Sequence, residues 1–418
     1  RHATCDASRE TSRDDAHAAR CASRNQRRRA TIVLVALGVL VVVATLASLM
    51  LGRFPITPAE AGGMLASQVV PIEPFWTSQQ ETLFFQVRLP RIVLALLVGC
   101  SLAAAGAAFQ GTFQNPLVSP DILGASQGAA FGAAVAILLG LGAFGISAFA
   151  FAAAIVTVLL VLLVSSRAKG NHMMVVVLAG VMMSSLLQAA VSYTKLIADP
   201  TDQLAAITYW LMGSLTGAKP ADLAMAAAPM AAGLLALFAL RWRINILTMG
   251  DDEASTMGVN AQRVRIVVIF AATLVTAASV AVTGMIGWVG LVIPHFARMV
   301  IGCDYRKLLP ASMLMGASFL LIVDDVARLA TTSEIPIGIL TAFGPLVTDM
   351  YLPTLPSMTV YFGTSQSMVQ MGLTTSMAGL ALGQLLFGPL SDKFGRRPLL
   401  LVSLLLFVAS TVICIFSP

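Results

Sequence analysis

The residues of this 418-residue chain whose types and spacing could do chemistry are few, and nearly all are charged. Arg88 and Arg91 flank Leu-Pro, Asp251, Asp252 and Glu253 stand together, and Asp349 lies in an apolar stretch ahead of a basic loop, Lys393 to Arg397. Guanidinium groups pair with carboxylates across interfaces, and a carboxylate among apolar residues is suited to accepting a proton. Covalent chemistry is not indicated. No Gly-x4-Gly-Lys-Ser/Thr loop is present to cradle nucleotide phosphates. His2, His17, His172 and His295 never cluster, and Cys5, Cys21, Cys100, Cys303 and Cys414 form no Cys-x-x-Cys pair, so neither metal nor disulfide framework is expected. His295 is expected to be packed and hydrogen-bonded. Gly140, Gly142 and Gly145 spell Gly-x-Gly-x-x-Gly, but no strand precedes them and no acid follows at dinucleotide spacing.

The elements that must position these charges are membrane helices. Hydrophobic residues make up 57% of the chain and charged ones 11%, with a mean hydropathy of +0.86, which leaves too little polar surface for a water-soluble globule. Apolar runs of about 20 residues, the length that crosses the hydrocarbon core, recur along the chain, so helices are expected rather than an outer-membrane barrel. Nine spans are predicted near 32–51, 90–110, 122–142, 145–164, 174–197, 222–240, 266–283, 285–301 and 308–327. The net charge of +6 suits the positive-inside rule better than nucleic acid. Arg167 with Lys169, Arg241 with Arg243, and Arg306 with Lys307 then fall on the side of the N-terminus, and the acidic loop Asp199 to Asp202 falls opposite. Residues 1–29, rich in Arg, Ala and Ser without apolar periodicity, read as a disordered basic tail ahead of an uncleaved first span.

On this frame, local physics gives the charged motifs ordinary roles. Pro90 suits the first turn of a helix, and arginines beside it anchor a helix at the interface. The stretch Gly250 to Asn260 reads as a capped loop helix.

Several long motifs in one order nevertheless resemble the FecCD-type permeases of ABC importers for iron-siderophores, haem and cobalamin. They are Arg88-Leu-Pro-Arg91, QGTFQNPLVSPDILGASQGA at 110–129, YWLMGSL at 209–215, GDDEASTMGVNAQRVR at 250–265, GMIGWVGLVIPHFARMVIGCDYRKLLP at 284–310 and DVARLATTSEIPIGILTA at 325–342. The resemblance covers 30–341 and implies a type II ABC importer permease helix bundle in a bacterial inner membrane. It implies that Arg88, Arg91 and Arg328 face acidic residues of a periplasmic binding protein. It also implies that Gly250, Asp251, Asp252, Glu253, Ala254, Met257 and Gly258 dock into an ATPase, and that Gly170, Asn171, His172, Met173 and Met174 form a cytoplasmic gate. The implied assembly is a homodimer with two ATPase subunits. ATP belongs to those partners, and this chain holds no cofactor.

After residue 341 the pattern changes. FGPLVTDMYLPTLPSMTVYFGTS and GPLSDKFGRRP at 388–398 resemble the start of a major facilitator drug:proton antiporter of the bicyclomycin-resistance type, with about three spans in 342–418. That resemblance gives Gly388, Asp392, Gly395, Arg396 and Arg397 to its signature loop and makes Asp349 a proton acceptor. Alternating access in that fold needs two six-helix halves, so a complete antiporter is not expected. The reading is a chimera, made by recombination or by misassembly of the sequence. Its rivals are a proton-coupled exporter, which predicts uncoupler-sensitive efflux without an ATPase, and a fusion that inserts but binds neither partner. The seam also conflicts in topology: one crossing between Ile335 and Gly363 would leave Lys393, Arg396 and Arg397 outside.

Overall fold

The computed structural model describes residues 28–329 and 336–341, apart from 53, 55, 72 and 168–171. The chain divides into two compact units, Arg1–Ala342 and Phe343–Pro418, and the described residues all belong to the first. The expectations for the basic tail before Arg28, for Gly170 and Asn171, and for Asp349, Gly388, Asp392, Gly395, Arg396 and Arg397 lie outside the described residues.

Every regular element among the described residues is helical. Helix α1 covers Arg28–Met50. Two short helices follow, α2 (Pro58–Ser67) and α3 (Ser78–Leu83), each opened by a capping box, Thr57 with Glu60 and Thr77 with Gln80. Thr57 and Thr77 satisfy the first free N–H groups of their helices, and Gln80 bonds Glu60 to tie the two together at 3.0 Å. One π-turn, Phe84–Arg88, then leads into α4 (Leu89–Thr112).

The remaining elements are α5 (Ala125–Leu138), α6 (Ala143–Arg167), α7 (His172–Ile197), α8 (Gln203–Leu211), α9 (Pro220–Leu247), α10 (Asp251–Thr256), α11 (Ala261–Thr283), α12 (Val289–Ile301), α13 (Tyr305–Leu329) and α14 (Ile337–Thr341). Each of the nine expected apolar segments is a helix. Seven are long and apolar enough to cross a membrane, while α5 and α12 have only 14 and 13 residues.

The shortness of α5 has a backbone cause. A 3₁₀ turn at Pro120–Leu123 precedes it, and the carbonyl of Ile122 rests on Gly180, eight residues into α7. Eight residues rise about 12 Å and α5 adds about 21 Å, enough together for a core of about 30 Å. The non-helical stretch lies against α4, α6, α7 and α11, the setting in which irregular backbone is tolerated inside a membrane.

Helix α4 is the axis of the bundle, with 78% of its most apolar stretch buried against 17% for α1 and α7. Its residues 101–112 are all buried, and small side chains let neighbours approach to backbone contact. Gly99 faces Gly316 on α13 and Gly106 faces Gly290 on α12.

Candidate functional site

At one end of α4, charges from α4 and α13 close on one another and on polar groups of α1. Arg91 forms a bidentate pair with Asp324 of α13, Nη2 to Oδ1 at 2.8 Å and Nε to Oδ2 at 3.1 Å. Asp324 is fully buried and Arg91 is 5% exposed. Arg328 lies 3.4 Å from Asp324 through its Nε, pairs with Asp325, and donates to Ser48 Oγ of α1 at 2.9 Å. Ser48 in turn donates to Asp325 at 2.7 Å. Arg88 donates to the carbonyls of Leu49, at 2.8 Å, and Phe54. The network therefore ties α1, α4 and α13 at one end.

At the other end of α4, uncharged groups and one arginine do the same for four helices. Arg298 of α12 donates to Gln110 Oε1 at 2.8 Å, and Gln110 donates to the Leu291 carbonyl at 3.2 Å. The Tyr305 N–H donates to Asn245 of α9 at 2.9 Å, and Gln114 donates to the Leu247 carbonyl at 2.7 Å.

Beside this end, the chain leaves α9 through Gly250, whose φ of +124° is open to glycine, and enters the six-residue α10. Ala254 is the buried residue of that helix, and Val259, just beyond it, is 7% exposed. Asp251 turns back to Arg265 of α11, with Nη2 to Oδ1 at 2.8 Å and Nη1 to Oδ2 at 3.3 Å. Asp252, Glu253 and Met257 are exposed.

Three stretches far apart in sequence also meet. The Ser214 N–H donates to the Thr283 carbonyl at 2.7 Å, and the Gly338 N–H donates to the Gly213 carbonyl at 3.2 Å. Side chains at Gly213 or Gly338 would collide with the carbonyls of Met285 and Met212. The segments around 209–215, 284–286 and 337–341 thus interlock through backbone.

The family profile described as the FecCD transport family matches residues 40–347, which takes in every element from α2 to α14. The chain belongs to the FecCD transport family. It is similar to the molybdate import system permease MolB of Haemophilus influenzae, 39% identical over 75% of this chain and 95% of that protein. It is also similar to an Fe(3+)-citrate import system permease of Bacillus subtilis, 36% identical over 77% and 93%. Among solved structures, a metal-chelate type ABC transporter in an inward-facing conformation superposes with a TM-score of 0.67, at 38% identity over 77% of this chain and 99% of that one. A second profile, the Major Facilitator Superfamily, matches residues 337–418. As a FecCD-family member with seven spanning-length helices among the described residues, the chain is a multi-pass ABC importer permease of the inner membrane.

Among the expected site residues of this permease, the arginines lie deeper in the bundle than the sequence reading has them. Arg88 and Arg91 were expected at an outer mouth, facing a partner, yet they are 4% and 5% exposed and bonded inside the chain. The physical reason is Asp324 and Asp325: a guanidinium in apolar surroundings takes the nearest carboxylate or carbonyl. Arg328, half-buried, is the most accessible of the three. Of the stretch expected to dock, Asp251, Asp252, Glu253, Met257 and Gly258 are exposed, Gly250 is half-buried, and Ala254 is buried. Met173 is half-buried and Met174 exposed at the start of α7, next to His172. His295 is exposed, its ring 6.4 Å from that of Phe296, because α12 turns residues 295, 296, 299 and 300 outward. Sequence reasoning missed Asp324, Ser48 and Arg265. The first was detectable, since acids four residues ahead of an arginine in an apolar helix are pairing candidates.

Proposed function

We propose that the chain is one half of a homodimeric permease that receives a metal chelate of the iron-siderophore, haem or cobalamin type from a periplasmic binding protein. Two ABC ATPase subunits supply the work, and ATP binds in them. The observation that carries this reading is α10: a short helix held to the bundle by Ala254 and the Asp251–Arg265 pair, with Asp252 and Glu253 left exposed. Single cysteines at Asp252 and Glu253 are expected to crosslink to the cognate ATPase and to resist a membrane-impermeant maleimide added from outside. Labelling from outside would reverse the topology and remove the reading.

A second copy fits the face of α7, which turns Met182, Ser185, Gln188 and Ser192 outward on a helix of spanning length. Amide and hydroxyl groups are poor company for lipid and suit a helix interface or an aqueous passage. Those groups carry no charge, which leaves choice of substrate to the binding protein.

Docking of that protein to Arg88, Arg91 and Arg328 remains part of the proposal, with Arg328 best placed. Arg328→Gln is expected to weaken capture of the binding protein by proteoliposomes at low salt; undiminished capture rejects the role. Replacing all three arginines by Glu is a poor test, since it would set carboxylates against Asp324 and Asp325.

For the tail, the two family profiles overlap only at 337–347, which supports a chimera joined in sequence common to both. On this reading 342–418 is an antiporter fragment with Asp349 as its proton site. A long read of native DNA across the codons for Gly338 to Thr348 tests it, and two separate genes there would refute a natural fusion.

A further inference from the structure

The link between α10 and the bundle is small enough to analyse residue by residue. Helix α10 has six residues, one of them buried, and glycines with positive φ at both flanks, Gly250 at +124° and Gly258 at +77°. Such a segment has few contacts to fix its angle against the body. What fixes it besides Ala254 and Val259 is the pair between Asp251 and Arg265, fourteen residues apart and bonded through two guanidinium nitrogens. Bidentate guanidinium–carboxylate pairs constrain direction as well as distance.

The two partners differ in a telling way. The Asp251 side chain is 56% exposed, whereas that of Arg265 is 9% exposed and its Nε has no hydrogen-bond partner. The arginine is therefore the fixed member, seated in the wall of α11. That helix is 72% buried over its apolar stretch and packs on α4, α5, α6 and α9. Arg265 is thus a side-chain tie between α10 and this stem, beside the buried Ala254 and Val259.

We propose that Arg265 is a positioning residue for energy coupling: by holding Asp251 it makes α10 a rigid lever on α11, while Asp252 and Glu253 meet the partner. The inference rests on the reading of α10 as the ATPase-docking helix. It assigns Asp251 to the permease side of the joint rather than to the contact surface.

The test uses the full chain assembled with its ATPase in proteoliposomes, with the native cysteines replaced by serine and Ser185→Cys, on the α7 face assigned to the second copy, as a reporter of rearrangement there. Maleimide labelling is measured without nucleotide and with ATP plus vanadate. Arg265→Gln is expected to assemble and hydrolyse ATP as the parent does, while the nucleotide-dependent change in labelling rate shrinks at least about fivefold. Asp251→Arg with Arg265→Asp is expected to restore most of that change. Arg263→Gln, at an exposed position on the same turn, is expected to be silent. A full nucleotide response in Arg265→Gln overturns the proposal. So does loss of assembly in Arg265→Gln but not in Arg263→Gln, which would make the pair a requirement for docking rather than for transmission. If the parent chain itself forms no ATPase complex, the underlying reading fails first, and it does so without reference to Arg265.

Discussion

Asp324→Asn is expected to destabilise the bundle by about 3–5 kcal/mol, the usual cost of stranding one partner of a buried ion pair. The substitution keeps volume and shape, so packing contributes little to the loss. What it removes is the charge that Arg91, 5% exposed, meets through two nitrogens and that Arg328 meets at 3.4 Å. Arg91 loses its bidentate carboxylate, while Arg328 keeps Asp325 and Ser48. Midpoints of thermal aggregation in detergent should fall by roughly 10 °C. Asp325→Asn, whose side chain is 12% exposed and which shares its arginine with Ser48, should cost less. Replacing both members of the inner pair, Arg91→Met with Asp324→Leu, should recover much of the loss, because it removes the desolvated charges together. Equal stability of Asp324→Asn and the parent would mean that Arg91 has water or lipid phosphate as its partner instead.

This network also shows what the sequence could and could not disclose. The nine apolar helices were legible, because composition averaged over 20 residues reports burial in a bilayer whatever the packing. The 3₁₀ turn before α5 was not, since Ile122 and Leu123 read as the start of the apolar run and the turn is set by contact with Gly180. Helix α8 was hidden for a related reason: Gln203–Leu211 is too short to stand out beside an acidic loop. For the arginines, type and place were legible and orientation was not. Arg91 finds its carboxylate 233 residues away, and no local pattern connects Leu-Pro-Arg to Asp324. The motif around Asp251 marked a short loop helix, but that Asp251, itself exposed, is bonded to Arg265 while Asp252 and Glu253 are not needs the position of Arg265.

The second large effect is expected at the crossing of α4 and α12. A Cβ on Gly106 would overlap the carbonyl of Gly290, so even Gly106→Ala requires the two helices to part. Overpacking usually costs about 1–3 kcal/mol where side chains can shift; here the obstacle is backbone, and the cost should reach the top of that range or pass it. No compensating substitution exists on α12, because residue 290 is already glycine, and on its other side it has Pro120 and Leu102 within about 3 Å of any added carbon. Parting the helices also pulls Arg298 away from Gln110, four residues along α4 from Gly106, and so loosens the polar tie among α4, α9, α12 and α13. Gly106→Ala should therefore lower expression and thermal midpoint together. Gly62→Ala is the matched control. A methyl there meets nothing within 4 Å, and helix propensity should make it neutral or up to about 1 kcal/mol stabilising. If Gly106→Ala behaves like Gly62→Ala, the helices are not in backbone contact, and the centre of the bundle is looser than the Gly106–Gly290 approach implies.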